Sequence, residues 1–286
     1  MPSLSEVAEQ QRAYWNGEGS APWIKTQEER DQSLGPLGAL AQAPLKLQSG
    51  ERVLDIGCGC GGTSFELAAQ VGADGHVLGL DISEPMLELA EQRRQAMGLD
   101  HVRFAAGDAT HADFPGGPFD AVYSRFGVMF FAEPVRAFAN IRAVMRPGGR
   151  LSFVAWRPLE ENHWVKLGRD VVLRHVAPPP PMPADAPGQF AFGNRDRVER
   201  ILGEAGFSEV RLTAVDQAFT VTTASDMDTA LKAVTTRGAS ARLLADADEA
   251  TLDAVRAELR PLLEPHLGPN GLQLGSAVWV VTAMVP

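Results

Sequence analysis

The chain has 286 residues, 45% of them hydrophobic and 22% charged, with 28 glycines and 20 prolines. That suits one large or two ordinary globular domains and excludes a disordered or low-complexity chain. A formal net charge of −10 and no Lys/Arg run longer than two count against a partner held by its phosphate backbone, so no nucleic acid is expected.

The N-terminal sequence MPSLSEVAEQQR lacks the basic and apolar segments of a signal peptide. Residues 1–48 read as an N-terminal helical arm or lid carrying Tyr14, Trp15 and Trp23. These aromatics either fold over a ligand or anchor the arm to a sheet edge, and Trp23 is the one placed near the site. Arg52 to Ile56 is a short apolar strand ending in glycines, and Thr63 to Val71 follows as a helix. Val77 to Leu80 is a second strand, ending at Asp81. Ser83 and Pro85 open a helix that Gly98 stops, since serine caps orphan N–H groups and proline fits the first turn. Val102 to Ala105 and Phe119 to Ser124 read as strands three and four. A helix from Pro134 carries Val135, Phe138, Ile141 and Met145 at steps of three and four. Pro147-Gly148-Gly149 breaks it before a fifth strand, Leu151 to Trp156.

Pro178 to Pro181, with Pro183 and Pro187, predicts a stiff extended connector. Beyond it, Asn194 caps a helix with Val198, Ile201 and Leu202 on one face, and Val210, Leu212 and Ala214 alternate as a strand. Ser225 with Asp228 resembles a capping box. Leu252, Val255 and Leu259 form a further helical face interrupted at Pro261, and Ala277 to Val285 is a final buried strand. That last stretch falls far short of the ~20 apolar residues of a membrane helix. No stable membrane insertion and a cytoplasmic location are therefore expected.

Strand–helix alternation with short continuous apolar strands predicts an α/β fold. It is a doubly wound, mostly parallel, seven-stranded Rossmann-like sheet with helical cap insertions. Residues 49–286 form one domain in this reading, with caps inserted at about 157–200 and 225–270. Ligands bind such sheets at the carboxyl ends of the strands. The segment Asp55-Ile56-Gly57-Cys58-Gly59-Cys60-Gly61-Gly62 lies there, and Gly57, Gly59 and Gly62 satisfy the dinucleotide pattern G-x-G-x-x-G. Asp81 at the end of strand two suits a ribose diol, so NAD and an adenosine cofactor without phosphates both remain open. Asp55 tips the balance. A carboxylate before the first glycine repels a pyrophosphate but suits the ammonium and sulfonium of S-adenosylmethionine (SAM), whose carboxylate can then point at the helix end.

The ordered series VLDIGCGCGG, GLDIS, GDA, FDAVYSR and RPGGRLSFVAW, across residues 50 to 156, resembles the motifs of class I SAM-dependent methyltransferases. It is most similar to the ubiquinone/menaquinone-biosynthesis type and related small-molecule enzymes. The resemblance implies methyl transfer from SAM to a small-molecule acceptor by in-line displacement, with S-adenosylhomocysteine as product. It implies that Asp55, Gly57 and Gly59 line the methionine part of SAM; Cys58 and Met86 are counted with the cofactor-binding residues. Asp81 would bind the ribose, Ile82 would pack on the adenine, Asp108 would accept from its amino group, and Ala109 would add a backbone contact. Ser124 would lie near the transferable methyl, and Trp23 joins the cofactor set.

Plainer readings stand beside these. Asp81 and Asp108 could be solvated or capping carboxylates. Cys58 and Cys60 could pair on a metal or in redox chemistry, although two cysteines alone make neither a disulfide framework nor a zinc site; no metal is expected. Arg125 binds the SAM carboxylate or makes a surface salt bridge. Phe126 and Met129 are placed facing the acceptor, and Phe130 and Phe131 in the core. His163 and Trp164 are placed on the acceptor side, His163 as candidate general base or as a structural histidine; His111 has the same ambiguity. An NAD-dependent oxidoreductase and a non-catalytic SAM-binding protein are the rival functions.

Overall fold

The computed structural model describes residues 3–180, 183 and 186–286. Three helices open the chain: α1 (Leu4–Asn16), α2 (Ala21–Lys25) and α3 (Gln27–Gln42). Then come β1 (Arg52–Ile56), α4 (Gly62–Val71), β2 (His76–Asp81), α5 (Glu84–Met97), β3 (Val102–Ala106) and β4 (Phe119–Arg125). A 3-10 turn at Val128–Phe130 leads to α6 (Pro134–Ala143) and β5 (Met145–Trp156). The rest is α7 (His163–Val172), α8 (Arg195–Glu204), β6 (Ser208–Thr222), α9 (Met227–Thr235), α10 (Gly238–Leu243), α11 (Glu249–Leu263), β7 (Leu267–Gly268) and β8 (Gly271–Met284).

The main path of the sheet runs β3-β2-β1-β4-β5-β8-β6, seven strands, and the two-residue β7 pairs β8 off that path. β1 pairs in parallel with both β2 and β4, β2 with β3, and β4 with β5. Helices cover both faces of β1 and β4, so Val53, Leu54, Ala121 and Val122 are buried whichever way they point. The strand order reverses between β1 and β4, and the ends of those two strands open the crevice where such folds bind ligands.

The chain divides into two compact units. The first comprises Met1–Trp156, Asp185–Ala214 and Trp279–Pro286; the second comprises Arg157–Ala184 and Val215–Val278. In the first unit, α6 buries Phe138 in an aromatic cluster with Phe131, Phe153, Phe192 and Phe207, at ring separations of 5.6, 5.7, 6.2 and 6.4 Å. In the second, Asn162 is fully buried and organises the start of α7. Its Nδ2 donates to the carbonyls of Arg157 and Pro158, and its Oδ1 accepts from Ala277 N at 3.0 Å and Trp164 Nε1 at 3.2 Å.

Several boundaries differ from the sequence expectation. β5 starts at Met145, not Leu151, because Pro147-Gly148-Gly149 is absorbed as an irregularity: Phe119 pairs with Met145 and Ala121 with Arg150. Ion pairs Arg146–Asp120 at 2.8 Å and Arg150–Glu51 at 2.6 Å hold this segment. Helix α11 runs through Pro261 to Leu263, carried by its buried face of Val255, Leu259 and Leu263. The cap of α9 is Asp226, which accepts from Thr229 N at 2.8 Å, and not Ser225. Asn194 does cap α8, accepting from Arg197 N at 2.8 Å. Strands β6 (Ser208–Thr222) and β8 (Gly271–Met284) begin or run on beyond the stretches the sequence suggested. Within the proline run, residues 178–180 are irregular, and Pro181 lies outside the described residues.

Candidate functional site

The turn from β1 into α4 is built on close backbone approach. Gly57 N and Cys58 N both donate to Leu80 O on β2, at 2.8 and 3.2 Å. Gly57 has φ +69°, and a Cβ there would stand 2.7 Å from Gly127 Cα, so only glycine fits. Gly127, just past β4, is held in turn by its N–H donating to Ser124 Oγ at 3.2 Å. Asp81 ends β2 and closes the other side of the loop. Its Oδ2 accepts from Gly59 N at 2.7 Å and its Oδ1 from Ser83 N at 2.9 Å. Burial raises its pKa, while the Ser83, Gly59 and Ile82 hydrogen bonds oppose the rise. An ionised carboxylate offers about four acceptor sites, so these backbone bonds still leave capacity for a diol hydroxyl. The sulfur of Met86 lies 3.8 Å from where a Gly59 Cβ would be.

Asp55 is fully buried beneath the loop, not at its surface. Its Oδ2 accepts from Thr63 Oγ1 at 2.6 Å and Ser64 Oγ at 2.7 Å, in the first turn of α4. Its Oδ1 is buried with no partner. Burial pushes the carboxyl up to about 6, against the Ser64 and Thr63 hydroxyls and the charge of Arg125. Arg125 is also mostly buried, so its ion pair with Asp31 of α3, at 2.8 Å, is not the surface bridge considered from sequence. Its Nη1 is a second buried polar atom with no partner. An orphan acceptor on Asp55, which bonds the first turn of α4, and an orphan donor on Arg125, whose partner Asp31 lies against Gly62, suit the ammonium and carboxylate of an amino-acid zwitterion. An anionic pyrophosphate has nothing to offer Asp55.

A cavity of about 470 Å³ lies past the ends of β2 and β3, lined from Ile82, Gly107 and Asp108 rather than from the glycine loop itself. His111 lines it as well, with Glu9 and Arg12 of α1. Asp108 Oδ1 accepts from Thr110 N at 2.8 Å. The loop behind it is fixed by Asn140, whose Nδ2 donates to Ala109 O at 2.9 Å and Ala112 O at 3.1 Å, leaving Ala109 buried. Helix α1 is fastened above by Asn16: Nδ2 donates to Ile82 O at 2.8 Å and Oδ1 accepts from Glu84 N at 2.9 Å. Asn16→Ala is expected to loosen α1 by about 1 kcal/mol, the net worth of such bonds. Hydrogen exchange of α1 amides reads this directly; unchanged protection would remove Asn16 from the role.

Trp23 does not stand alone. Arg30 lies over it at 4.1 Å, and it meets Trp15 edge-on at 6.3 Å, while Trp15 packs on Phe130 at 5.1 Å. After β4, Phe126 and Met129 are buried, while Phe130 and Phe131, expected in the core, are only half-buried. The 3-10 turn points Met129 inward and swings Phe130 onto Trp15. Phe126 stacks on Trp156 at 4.3 Å and has φ +61°, a strained conformation for a side chain of that size.

His163 opens helix α7 in the second unit. Its ring meets His266 edge-on at 5.5 Å, and Trp164 packs on Phe219 at 4.4 Å. Burial, His266 and Lys166 lower the His163 pKa, which favours the neutral imidazole. Cys58 and Cys60 are free, buried thiols with raised pKa, the opposite of a reactive pair. Among the described residues no group of three or more His, Cys, Asp or Glu is arranged to hold a metal, and no helix is long and apolar enough to cross a membrane. Asn16, Asp31 and Asn140 escaped the sequence reading because each acts on residues far along the chain.

Residues 53–149 match a family model described as a methyltransferase domain. An uncharacterized protein of Mycobacterium tuberculosis is 34% identical over 169 residues, 59% of this chain and 58% of its own length. The chain thus spans less than two thirds of that relative. A demethylmenaquinone methyltransferase of Listeria monocytogenes is 33% identical over 183 residues, 58% of this chain and 74% of the relative. Among solved structures, phosphoethanolamine N-methyltransferase 2 of Haemonchus contortus, in complex with S-adenosyl-L-methionine, shares the fold. Its TM-score is 0.55 at 19% identity, covering 100% of this chain and 60% of that one.

Proposed function

The chain belongs to the class I SAM-dependent methyltransferases, and we propose that it methylates a small-molecule acceptor by in-line displacement, releasing S-adenosylhomocysteine. With the family fixed, the nicotinamide reading is set aside. The observation that carries the cofactor assignment within this chain is the pair of buried orphans, Asp55 Oδ1 and Arg125 Nη1. Together they fit the zwitterionic end of SAM, whereas a phosphate could satisfy only Arg125 and would be repelled by Asp55. In this reading Asp81 takes the ribose hydroxyls with its remaining acceptor capacity. Ile82 and Asp108, which share the cavity, hold the adenine by packing and by accepting from its amino group, with Ala109 beside them. Gly57, Cys58, Gly59, Met86 and Ser124 bound the methionine part, and Trp23 belongs to the aromatic group by which the N-terminal helices cover it.

SAM supplies an activated methyl and its own leaving group when bound, so the chain need only align the reactants and exclude water. His163, whose pKa burial lowers, is the candidate base for an acidic acceptor, with Trp164 as an acceptor-side candidate; in the first unit Phe126 and Met129 are the acceptor-side candidates. The net charge of −10 supports a small molecule over nucleic acid, and the absence of a disulfide framework supports a cytoplasmic enzyme of small-molecule metabolism. The test is methyl transfer from labelled SAM across an acceptor panel, quinols and phenols first, beside calorimetry with SAM, S-adenosylhomocysteine and NAD. SAM binding with transfer to one acceptor class is expected. NAD binding without SAM binding would overturn the assignment, and SAM binding without transfer to any acceptor would leave a non-catalytic SAM-binding protein.

A further inference from the structure

The reading of Arg125 as the group that meets the cofactor leaves open what holds its guanidinium in place. Asp31 of α3 does so. Its Oδ1 accepts from Arg125 Nη2 at 2.8 Å. Its Oδ2 accepts from Gln27 Nε2 and, at 3.4 Å, from Arg93 Nη2 of α5. Arg93 Nη1 in turn donates to Cys60 O in the glycine loop. The Asp31 carboxylate lies directly against the start of α4, since a Cβ on Gly62 would stand 2.5 Å from both of its oxygens. The N-cap there, Gly61, has no side chain to cap the first-turn N–H groups.

Asp31 faces two guanidinium groups, Arg93 and Arg125, next to a helix end that itself favours anions, and the buried Asp55 carboxyl lies within the field of Arg125. Arg125 spends one nitrogen on Asp31 and keeps Nη1 buried without a partner. A buried charged donor left unmatched is costly, and its usual explanation is a missing partner. A guanidinium gripped at one nitrogen presents the other in a fixed direction, because its five N–H groups form a rigid fork. We propose that Asp31 is a positioning residue: it grips Arg125 so that Nη1 is presented to the carboxylate of the cofactor's amino-acid end, with Arg93 balancing the added negative charge. The proposal rests on SAM binding at the glycine loop.

The discriminating probe is decarboxylated SAM, which keeps the adenosine, sulfonium and ammonium and lacks only the carboxylate. Wild-type protein is expected to prefer SAM over decarboxylated SAM by about tenfold or more, as a charge-assisted pair would give. Asp31→Ala should erase most of that preference while leaving affinity for decarboxylated SAM within about twofold. Asp31→Asn, which still accepts from Arg125, should keep part of it. Should Asp31→Ala fail to fold, Asp31→Asn carries the test alone through a reduced preference. A merely structural Asp31 would weaken both ligands together, and that result overturns the proposal. So does an unchanged preference in the variants, or none in the wild type. Wild-type protein that binds neither ligand would instead overturn the SAM reading itself.

Discussion

Asp55→Asn is expected to remove a pH dependence worth about 3 kcal/mol of folding stability between pH 4 and 7. The folded-state pKa of Asp55 is raised by burial from 3.8 to about 6, so the folded protein holds this proton more tightly than the unfolded chain. Stability from the protonated group is full below about pH 4 and is lost as the pH rises through about 6. Other carboxylates, those in ion pairs above all, push the opposite way, so the comparison with Asp55→Asn isolates the effect. The amide preserves shape, and the Thr63 and Ser64 hydroxyls can rotate to accept from it. Denaturant unfolding at a series of pH values checks this, and parallel stability curves for the two proteins would refute it. A bound ammonium reverses the sign locally, because it favours the ionised carboxylate. SAM affinity should therefore fall as the pH drops through about 6 in the wild type and lose that dependence in Asp55→Asn.

Asp81→Ala should weaken SAM binding by about 1–3 kcal/mol, the worth of charge-assisted hydrogen bonds to a buried acceptor. Two effects act in the same direction. The diol loses its acceptor, and Gly59 N and Ser83 N lose theirs, which relaxes the glycine loop and the cap of α5. Asp81→Asn keeps one oxygen as acceptor and should retain part of the affinity. Calorimetry with SAM measures both variants. Unchanged affinity in Asp81→Ala would mean that the ribose does not rest at the end of β2.

Much of the first unit was legible in the sequence because its signals are local. Apolar runs bounded by glycine, the Ser83-x-Pro85 start of α5 and the Gly98 stop of the same helix each depend on neighbours a few residues away. The positions of Gly57, Asp81 and Asp108 at strand ends follow from that order and from the rule for open parallel sheets. Local signals misled where tertiary packing outweighed them. Pro261 sits inside α11 because the buried face on either side of it holds the helix together. The break at Pro147-Gly148-Gly149 became part of β5 because Arg146 and Arg150 find acids on neighbouring segments.

The amino-acid sequence by itself thus determined the parallel sheet, the glycine loop and the acids around it, since each is written in short-range periodicity and turn chemistry. Only the tertiary structure decided how those groups are finished: Asp55 sealed under α4, Arg125 gripped by Asp31, Asn16 fastening α1 to the turn after β2, and Phe130 rather than Met129 turned outward. Asp31 and Arg125 are 94 positions apart, and Asn16 and Ile82 are 66 apart. Pairings at that separation leave no local periodic trace, because they exist only once the sheet and its helices have brought the two ends together.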